Sequence, residues 1–364
     1  MRIALVHDYL NEFGGAELVL KQLSDMWPEA PIYTAFCVPG SSAAREFENK
    51  KVITSWMQTI PYYHKLFSPL RFLTPWIWSS FDLSGYDLII TSASWYVTKG
   101  LGKKYNVSEI CYCHTPPRWL YGYQTSIDLQ KYWLVRVYAA VVGHFLRIYD
   151  WEQAQKVDLF VANSENVAKR IKKFYRRDSV VVYPPIEVKS GSFTAVQDDN
   201  YYLMVTRLVG GKGIELAVEA AEKYGFRLKI AGEKSGLKNF DIRSKNVELL
   251  GRVSDEEKYR LMSGAKAFLA LATNEDFGIT PVEAMACGTP VIAYNGGGYR
   301  ETVVDGKTGV LFDEYTEEGL WEAIRRIGQI GLNTTYIKNH AKKFSAENFK
   351  KQMLSLVESY ARTS

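Results

Sequence analysis

The sequence predicts an α/β protein of two domains, each built on a parallel, Rossmann-like sheet, and three observations carry that prediction. The length of 364 residues is enough for two hydrophobic cores. Short apolar runs alternate with helical patterns from end to end, as stacked βα units require. The alternation lapses once, between Pro184 and Asn200, where Pro-Pro, Ser-Gly-Ser and Asp-Asp-Asn mark a linker. The expected domains are therefore residues 1–186 and 187–344, with the amphipathic stretch 345–364 packing back on the first. Two such halves place a ligand in a cleft, outside the carboxyl ends of the strands.

In the first half the expected strands are Arg2–Asp8, Pro31–Phe36, Tyr86–Ser92, Glu109–His114, Asp158–Asn163 and Ser179–Tyr183. Helices are expected at Gly15–Met26, Leu66–Ser79, Lys131–Lys156 and Glu165–Tyr175, the last capped by Ser164. The second series runs Tyr201–Thr206, Arg227–Ala231, Val247–Leu250, Ala267–Ala272, Pro290–Tyr294 and Gly309–Phe312. Ser254 and Glu257 form a capping box for a helix from Asp255 to Gly264, and the final helix is expected over Ser345–Ala361.

Composition narrows the function. A net charge of +5 is too small to argue for a nucleic-acid partner, and is compatible with an anionic substrate or an acidic membrane surface. Cys37, Cys111, Cys113 and Cys287 make no disulfide framework in a chain this long and lack the second pair that a zinc site needs. They read as thiols in a reducing cytoplasm. Met1–His7 reads as a strand and not as a signal peptide. The apolar run Tyr132–Tyr149 is broken by Arg136, His144 and Arg147, so no transmembrane helix is expected. From Trp56 to Phe81, basic residues stand among Trp, Tyr and Phe. That mixture suits peripheral contact with a bilayer interface or a lipid-linked acceptor, and equally an aromatic excursion packed on the core.

The most informative segment is Asn274-Glu-Asp-Phe-Gly-Ile-Thr-Pro-Val-Glu283-Ala-Met-Ala-Cys-Gly-Thr-Pro290. Thr280 is the expected N-cap, Pro281 suits the first helical turn, and Gly288 offers a left-handed stop. A loop feeding a helix N-terminus presents free N–H groups to an anion such as a diphosphate. Glu275, before the helix, suits hydroxyls instead, and phosphate beside a polyol describes a nucleotide sugar. Glu283 either completes a capping box or takes part in that binding, and one carboxylate can do both.

Other candidates stand at expected strand ends. Arg207 and Lys212 flank Leu-Val-Gly-Gly and can reach a diphosphate, Arg in a bidentate manner and Lys as a point charge. Gly14 and Gly15 follow the first strand and let backbone approach a ligand. His114 ends its strand before Thr-Pro-Pro-Arg118-Trp119, where it can donate to a sugar hydroxyl or serve as a structural histidine. His7, with Asp8, is less specific. Gly251-Arg252-Val253 can offer backbone groups to a base edge, and Gly296-Gly-Gly-Tyr-Arg-Glu301 can simply re-aim the chain. G-x-G-x-x-G spacing, a Walker A loop and clustered metal-ligand spacing are all absent.

Together, Arg207…Lys212-Gly213, Gly251-Arg-Val, Glu275-x7-Glu283 with Phe277-Gly278, and Gly297-Gly298-Tyr-Arg-Glu301 resemble the GT-B glycosyltransferases of family 4. Val6-His-Asp-Tyr9, Gly14-Gly-Ala-Glu17 and Cys113-His-Thr-Pro-Pro-Arg-Trp119 are similar to its bacterial mannosyltransferases of O-antigen and exopolysaccharide synthesis. The resemblance implies retaining transfer from a nucleotide-diphosphate sugar without cofactor or metal. GDP-mannose is favoured as donor, a UDP-sugar is the alternative, and the acceptor is lipid-linked or an oligosaccharide. It implies that Arg207 and Lys212 stabilise the leaving diphosphate and that Glu283 binds ribose. Glu275 and the backbone of Phe277, Gly278, Ile279 and Thr280 would hold the donor sugar. His114 would contact that sugar, and Gly14–Gly15 would face phosphate or acceptor. Four residues separate Arg207 from Lys212, one fewer than in several members, so the reach of Lys212 depends on the loop. A nucleotide-sugar epimerase and a non-catalytic glycan-binding subunit are the alternative functions.

Overall fold

The computed structural model describes residues 1–123, 133–186, 200–233 and 244–363. It divides into two compact units. Most of the expected linker, residues 187–199, lies outside the described residues, as does the expected helix start at Lys131.

The first unit takes in residues 1–123, 133–185 and 346–363. Its seven strands are β1 (Ile3–His7), β2 (Ile32–Thr34), β3 (Val52–Thr54), β4 (Leu88–Ala93), β5 (Ser108–Cys113), β6 (Leu159–Ala162) and β7 (Ser179–Val181). They pair in the order β3-β2-β1-β4-β5-β6-β7, every pair parallel. All five residues of β1 and all six of β4 are buried, which is why these strands read as continuous apolar runs without alternation. The unexpected β3 is a three-residue edge strand, too short to show a pattern.

The helices of this unit are α1 (Gly15–Met26), α2 (Ser42–Glu46), α3 (Tyr63–Leu66), α4 (Thr74–Ser79), α5 (Trp133–Lys156) and α6 (Glu165–Tyr175). The single helix expected at Leu66–Ser79 is broken into α3, a 3-10 turn at Pro69–Leu73, and α4. Pro69 and Pro75 each lack the N–H that a continuing helix needs. Ser164 caps α6 as expected, its Oγ accepting the Val167 N–H at 3.1 Å.

The second unit is centred on residues 200–345. Its strands are β8 (Tyr202–Val205), β9 (Leu228–Ala231), β10 (Val247–Gly251), β11 (Ala267–Ala270), β12 (Val291–Tyr294) and β13 (Gly309–Phe312). They form a parallel sheet in the order β10-β9-β8-β11-β12-β13. Around it run α7 (Ile214–Tyr224), α8 (Asp255–Ser263), α9 (Ile279–Cys287), α10 (Tyr299–Thr302), α11 (Glu317–Gln329) and α12 (Thr334–Ala341). Ser254 caps α8 by accepting the Glu257 N–H at 3.2 Å. The Glu257 carboxylate pairs with Arg260 at 2.6 Å, so only half of the expected capping box forms.

The chain then returns to the first unit as α13 (Ala346–Thr363). Ile186 and Ser345 pair across a parallel bridge, and the Ile186 N–H donates to the Phe344 carbonyl at 2.9 Å. This pairing draws both residues into the second unit, one position beyond the boundaries expected from sequence. Phe349 of α13 is 2% exposed and stacks edge-on against Tyr112 of β5 at 5.8 Å.

Each sheet reverses its winding once, between β1 and β4 in the first and between β8 and β11 in the second. Connections leaving such neighbours run to opposite faces, and the carboxyl ends between them are left open. Truncating Phe349 to Ala should cost about 3–5 kcal/mol, the usual penalty for deleting a buried aromatic ring. Hydrogen exchange should quicken in β1, β4 and β5, with β8–β13 unchanged. Equal quickening in both sheets would show that α13 does not belong to the first core.

Candidate functional site

The second-unit site starts at the connection from β8 to α7. Gly211 and Gly213 hold φ of 79° and 74°, the left-handed region that glycine enters without strain. A Cβ on Gly213 would stand 2.5 Å from the Leu271 Cβ and 2.7 Å from its carbonyl oxygen. The loop therefore lies directly on the end of β11, where the Tyr315 hydroxyl donates to the same carbonyl at 2.9 Å. Lys212, between the two glycines, is aimed along this junction, and its Nζ meets Glu275 Oε2 at 2.7 Å. The side chains are 29% and 20% exposed, so the pair is accessible without being fully solvated. Lys212 thus reaches Glu275 across the loop that sequence left open.

Glu275 is held from behind by backbone. Its carbonyl accepts the Gly298 N–H at 3.0 Å. A Cβ on Gly297, which has φ of 54°, would lie 2.3 Å from that carbonyl oxygen. One on Gly298 would lie 2.5 Å from the Asp276 oxygen and the Phe277 Cα. The glycine turn after β12 is thus more than a change of direction, because it is the surface against which the acidic loop is moulded.

Helix α9 begins earlier than expected. Gly278, with φ of 91°, occupies the N-cap position, no side chain caps the helix, and Ile279 is the first helical residue. The expected N-cap Thr280 is therefore inside the helix, and Pro281 is its third residue. The cause is Gly278 itself: it turns the chain where Tyr299 packs so close that a Cβ would meet its ring at 2.7 Å. The N–H groups of Gly278, Ile279 and Thr280 bond to no described residue and point from the helix start. The helix stops at Gly288, with φ of 95°, as the sequence indicated.

Glu283 consequently falls too deep in α9 to close a capping box. It is 6% exposed, and its Oε1 accepts from Lys258 Nζ at 3.0 Å and from the Tyr259 hydroxyl at 3.4 Å, both on α8. Burial pushes its carboxyl above the ordinary range, and the Lys258 ammonium pulls it part of the way back. Burial disfavours the Lys258 ammonium as well, yet Glu283, Tyr259 and Asp255 together more than offset this and hold that pKa above the usual lysine range. Both bonds fall on Oε1, which leaves Oε2 outside this pairing.

The remaining second-unit candidates are dispersed. Arg207 is exposed at the carboxyl end of β8, on the same connection as Lys212. Arg252 and Val253 follow β10, the edge strand, with β9 between them and β8. The Gly251 carbonyl is taken by the Gly232 N–H at 2.7 Å, and exposed Arg252 lies 3.9 Å from Glu233.

In the first unit, β1, β4 and β5 bring His7, Ser92 and His114 together. His7 and Ser92 are register partners across β1 and β4. His7 Nδ1 lies 3.0 Å from Ser92 Oγ, which lies 2.8 Å from His114 Nε2. On the other side His7 Nε2 faces Glu17 Oε1 at 3.3 Å, and Glu17 Oε2 accepts the Gly14 N–H at 2.9 Å. Gly14 and Gly15 are exposed at the start of α1, next to this chain of groups. His114 is 8% exposed, and burial followed by repulsion from His7 lowers its pKa to about 3, which leaves the ring neutral near pH 7. Neighbouring Asp8 is buried and accepts from the Trp95 N–H and the Thr98 hydroxyl.

Sequence reasoning passed over Ser92, Glu17, Lys258 and Tyr259. Glu17 alone carried a signal, standing three residues after Gly14 at a helix start. Among the described residues no cluster of three or more His, Cys, Asp or Glu could hold a metal ion, and no helix is long and apolar enough to cross a membrane.

Comparison with known proteins gives a consistent picture. Residues 13–190 match the family model described as Glycosyltransferase Family 4, and residues 185–344 match that described as Glycosyl transferases group 1. An Anabaena protein crystallised with UDP and glucose superimposes over 99% of this chain and 100% of its own, with TM-score 0.71 and 18% identity. The fold is that of the GT-B glycosyltransferases, and the two glycosyltransferase family models together span residues 13–344. At that identity the structural match speaks for the fold alone.

Among curated relatives, an uncharacterized glycosyltransferase of Methanocaldococcus jannaschii is 33% identical over 41% of this chain and 45% of its own length. An alpha-1,3/1,6-mannosyltransferase of Neurospora crassa is 37% identical over 35% of this chain and 27% of its own. The chain thus spans less than half the length of either relative.

The close approach at Gly298 can be tested directly. Gly298→Ala should displace the acidic loop and break the 2.7 Å Lys212–Glu275 pair in a crystal structure of the variant, while the circular dichroism spectrum stays that of the parent. An unchanged pair would show that the position of Glu275 does not depend on this contact.

Proposed function

We propose that the chain is a retaining transferase that moves a sugar from a nucleotide diphosphate to a lipid-linked or oligosaccharide acceptor in bacterial surface polysaccharide synthesis. GDP-mannose is the favoured donor and a UDP-sugar the alternative. The observation that carries this reading is the Lys212–Glu275 pair at the reversal point of the second sheet, beside the open N-terminus of α9. Lys212 keeps two of its three N–H donors for diphosphate, with Arg207 on the same connection and the Gly278–Thr280 amides as further donors. Charge developing on the leaving diphosphate meets groups already in place, so no metal ion is required for its stabilisation.

In this reading Glu275 orients the donor sugar through its hydroxyls, and Oε2 of Glu283 takes ribose while Lys258 and Tyr259 fix the carboxylate. Gly14 and Gly15 serve the phosphate or acceptor side, and Gly251–Val253 offers backbone groups to the base. The mannosyltransferase relative supports mannose as the sugar that is moved.

Lys212→Ala and Glu275→Ala should each lower turnover by about 10²–10³-fold, the loss typical of removing one preorganised charge-stabilising group. Thermal melts of both variants should match the parent. Donor identity follows from thermal shifts with GDP-, UDP- and ADP-sugars, since a bound ligand stabilises by mass action. Near-native turnover by both variants overturns the site, and conversion of a nucleotide sugar without any acceptor identifies an epimerase.

The acceptor side carries a separate reading: the first unit docks on an anionic bilayer surface. In α5, Trp133, Val137, Val141, Phe145 and Ile148 are exposed, Trp133 and Phe145 by 64% and 66%. At helical spacing they fall within an arc of about 120°. Gly143, Leu146 and Asp150 bury the opposite side. The Tyr138 hydroxyl donates to the Pro69 carbonyl, joining α5 to the aromatic segment, where Tyr62, Phe72 and Trp76 are exposed. Met57, Ile77, Trp78 and Phe81 of that segment are buried, so it both packs on the core and presents aromatic rings.

No Asp or Glu occurs between Glu48 and Asp82 or between Asp128 and Asp150, whereas His64, Lys65, Arg136, His144 and Arg147 are exposed there. That charge pattern fits anionic headgroups, with the rings at the acyl boundary. The protein should float with vesicles containing phosphatidylglycerol, and Trp76→Ser with Phe145→Ser should cut the bound fraction severalfold. Equal binding to neutral vesicles, or a lipid-free dimer abolished by these changes, would refute bilayer docking.

A further inference from the structure

Four side chains from separate parts of the first unit form one hydrogen-bonded line: Glu17 on α1, His7 on β1, Ser92 on β4 and His114 just after β5. The direction of each bond follows from the groups present. Glu17 already accepts a backbone N–H through Oε2, and a carboxylate has only acceptors to offer His7 through Oε1. His7 Nε2 must therefore donate. A neutral imidazole has one N–H, so His7 Nδ1 is an acceptor and takes the Ser92 O–H. Ser92 has a single hydrogen, already directed at His7, and can only accept from His114 Nε2. The remaining nitrogen, His114 Nδ1, carries a lone pair. It bonds to no described residue and is not among the sealed polar atoms of the structure.

We propose that Glu17, His7 and Ser92 are positioning residues that fix His114 as its Nε2–H tautomer, so that it meets substrate as a hydrogen-bond acceptor at Nδ1. This reverses the role that sequence assigned, in which His114 donates to a sugar hydroxyl. The ligand group it selects is one that carries a hydrogen, a hydroxyl and not an ether or a fluorine. The opposite polarity along the line requires protons on both ring nitrogens of His7, or a hydrogen-bond donor in place of the Glu17 carboxylate. The buried, neutral ring of His114 is consistent with a fixed tautomer. The tautomer itself stands on this geometry with His7 neutral, whereas a sugar hydroxyl as the group facing Nδ1 rests on the proposed function.

The line makes an unusual demand of one conservative change. In Glu17→Gln the Gly14 N–H keeps an oxygen at the Oε2 position, which turns the amide NH₂ toward His7 Nε2. Every bond then inverts: His7 donates through Nδ1, Ser92 donates to His114 Nε2, and His114 becomes its Nδ1–H tautomer. Long-range ¹H–¹⁵N correlation spectra of histidine-labelled protein read the protonated nitrogen of each ring directly, without any substrate. The parent should show His114 protonated at Nε2, Glu17→Gln should show it protonated at Nδ1, and Ser92→Ala should make His114 insensitive to residue 17. A parent His114 protonated at Nδ1, or one whose tautomer is unmoved by Glu17→Gln, overturns the relay. A donor lacking the relevant hydroxyl should bind the parent at least tenfold more weakly, and its 3-, 4- and 6-deoxyfluoro relatives identify which hydroxyl it is. Confirmed tautomers with no such loss would remove the sugar contact and leave the relay standing.

Discussion

Two parallel strands that are neighbours in a sheet but send their chains to opposite faces leave an opening at their carboxyl ends, and both clusters of candidate site residues sit at such openings. In the second sheet the neighbours are β8 and β11, whose following loops supply Lys212 and Glu275. In the first they are β1 and β4, whose ends supply His7 and Ser92, with His114 one strand further on. β1, β4 and β11 are buried along their lengths, so polar groups at their ends cannot be moved without disturbing the core. Pairing register fixes them, as with His7 directly opposite Ser92.

Glycine does the finer positioning. Gly213 lets the β8–α7 loop lie on Leu271, Gly278 starts α9 against Tyr299, and Gly297–Gly298 brings one turn within contact of the backbone at Glu275–Phe277. None of these residues offers a functional group. Each removes a Cβ that would hold two loops about an ångström too far apart, and a site built on a 2.7 Å ion pair does not tolerate that displacement. The apolar face of α5 follows a different rule, since its core-facing side is nearly all small or polar while its outer side is aliphatic and aromatic.

Much of this was legible in the residues. Gly15–Met26, Glu165–Tyr175 and Gly309–Phe312 were located to the residue, because caps, glycine stops and apolar runs are local signals. Glu275 and Gly288 were placed correctly on loop and helix end for the same reason. The helix through Leu66–Ser79 was misread because apolar spacing outweighed Pro69 and Pro75. The cap at Thr280 was misplaced because a left-handed glycine that starts a helix leaves no side-chain signature.

The sequence by itself determined the two α/β sheets, their order of elements and the chemical types at the strand ends, since periodicity and capping act over a few residues. Only the tertiary structure decided which of those groups meet. Lys212 and Glu275 are 63 residues apart, and His7 and Ser92 are 85 apart. Glu283 belongs to Lys258 and Tyr259 and not to its own helix cap. The direction in which His114 can hydrogen-bond was the last property to emerge. It is a consequence of three partners drawn from distant strands and a helix, and a hydrogen bond has no direction until both of its ends are known.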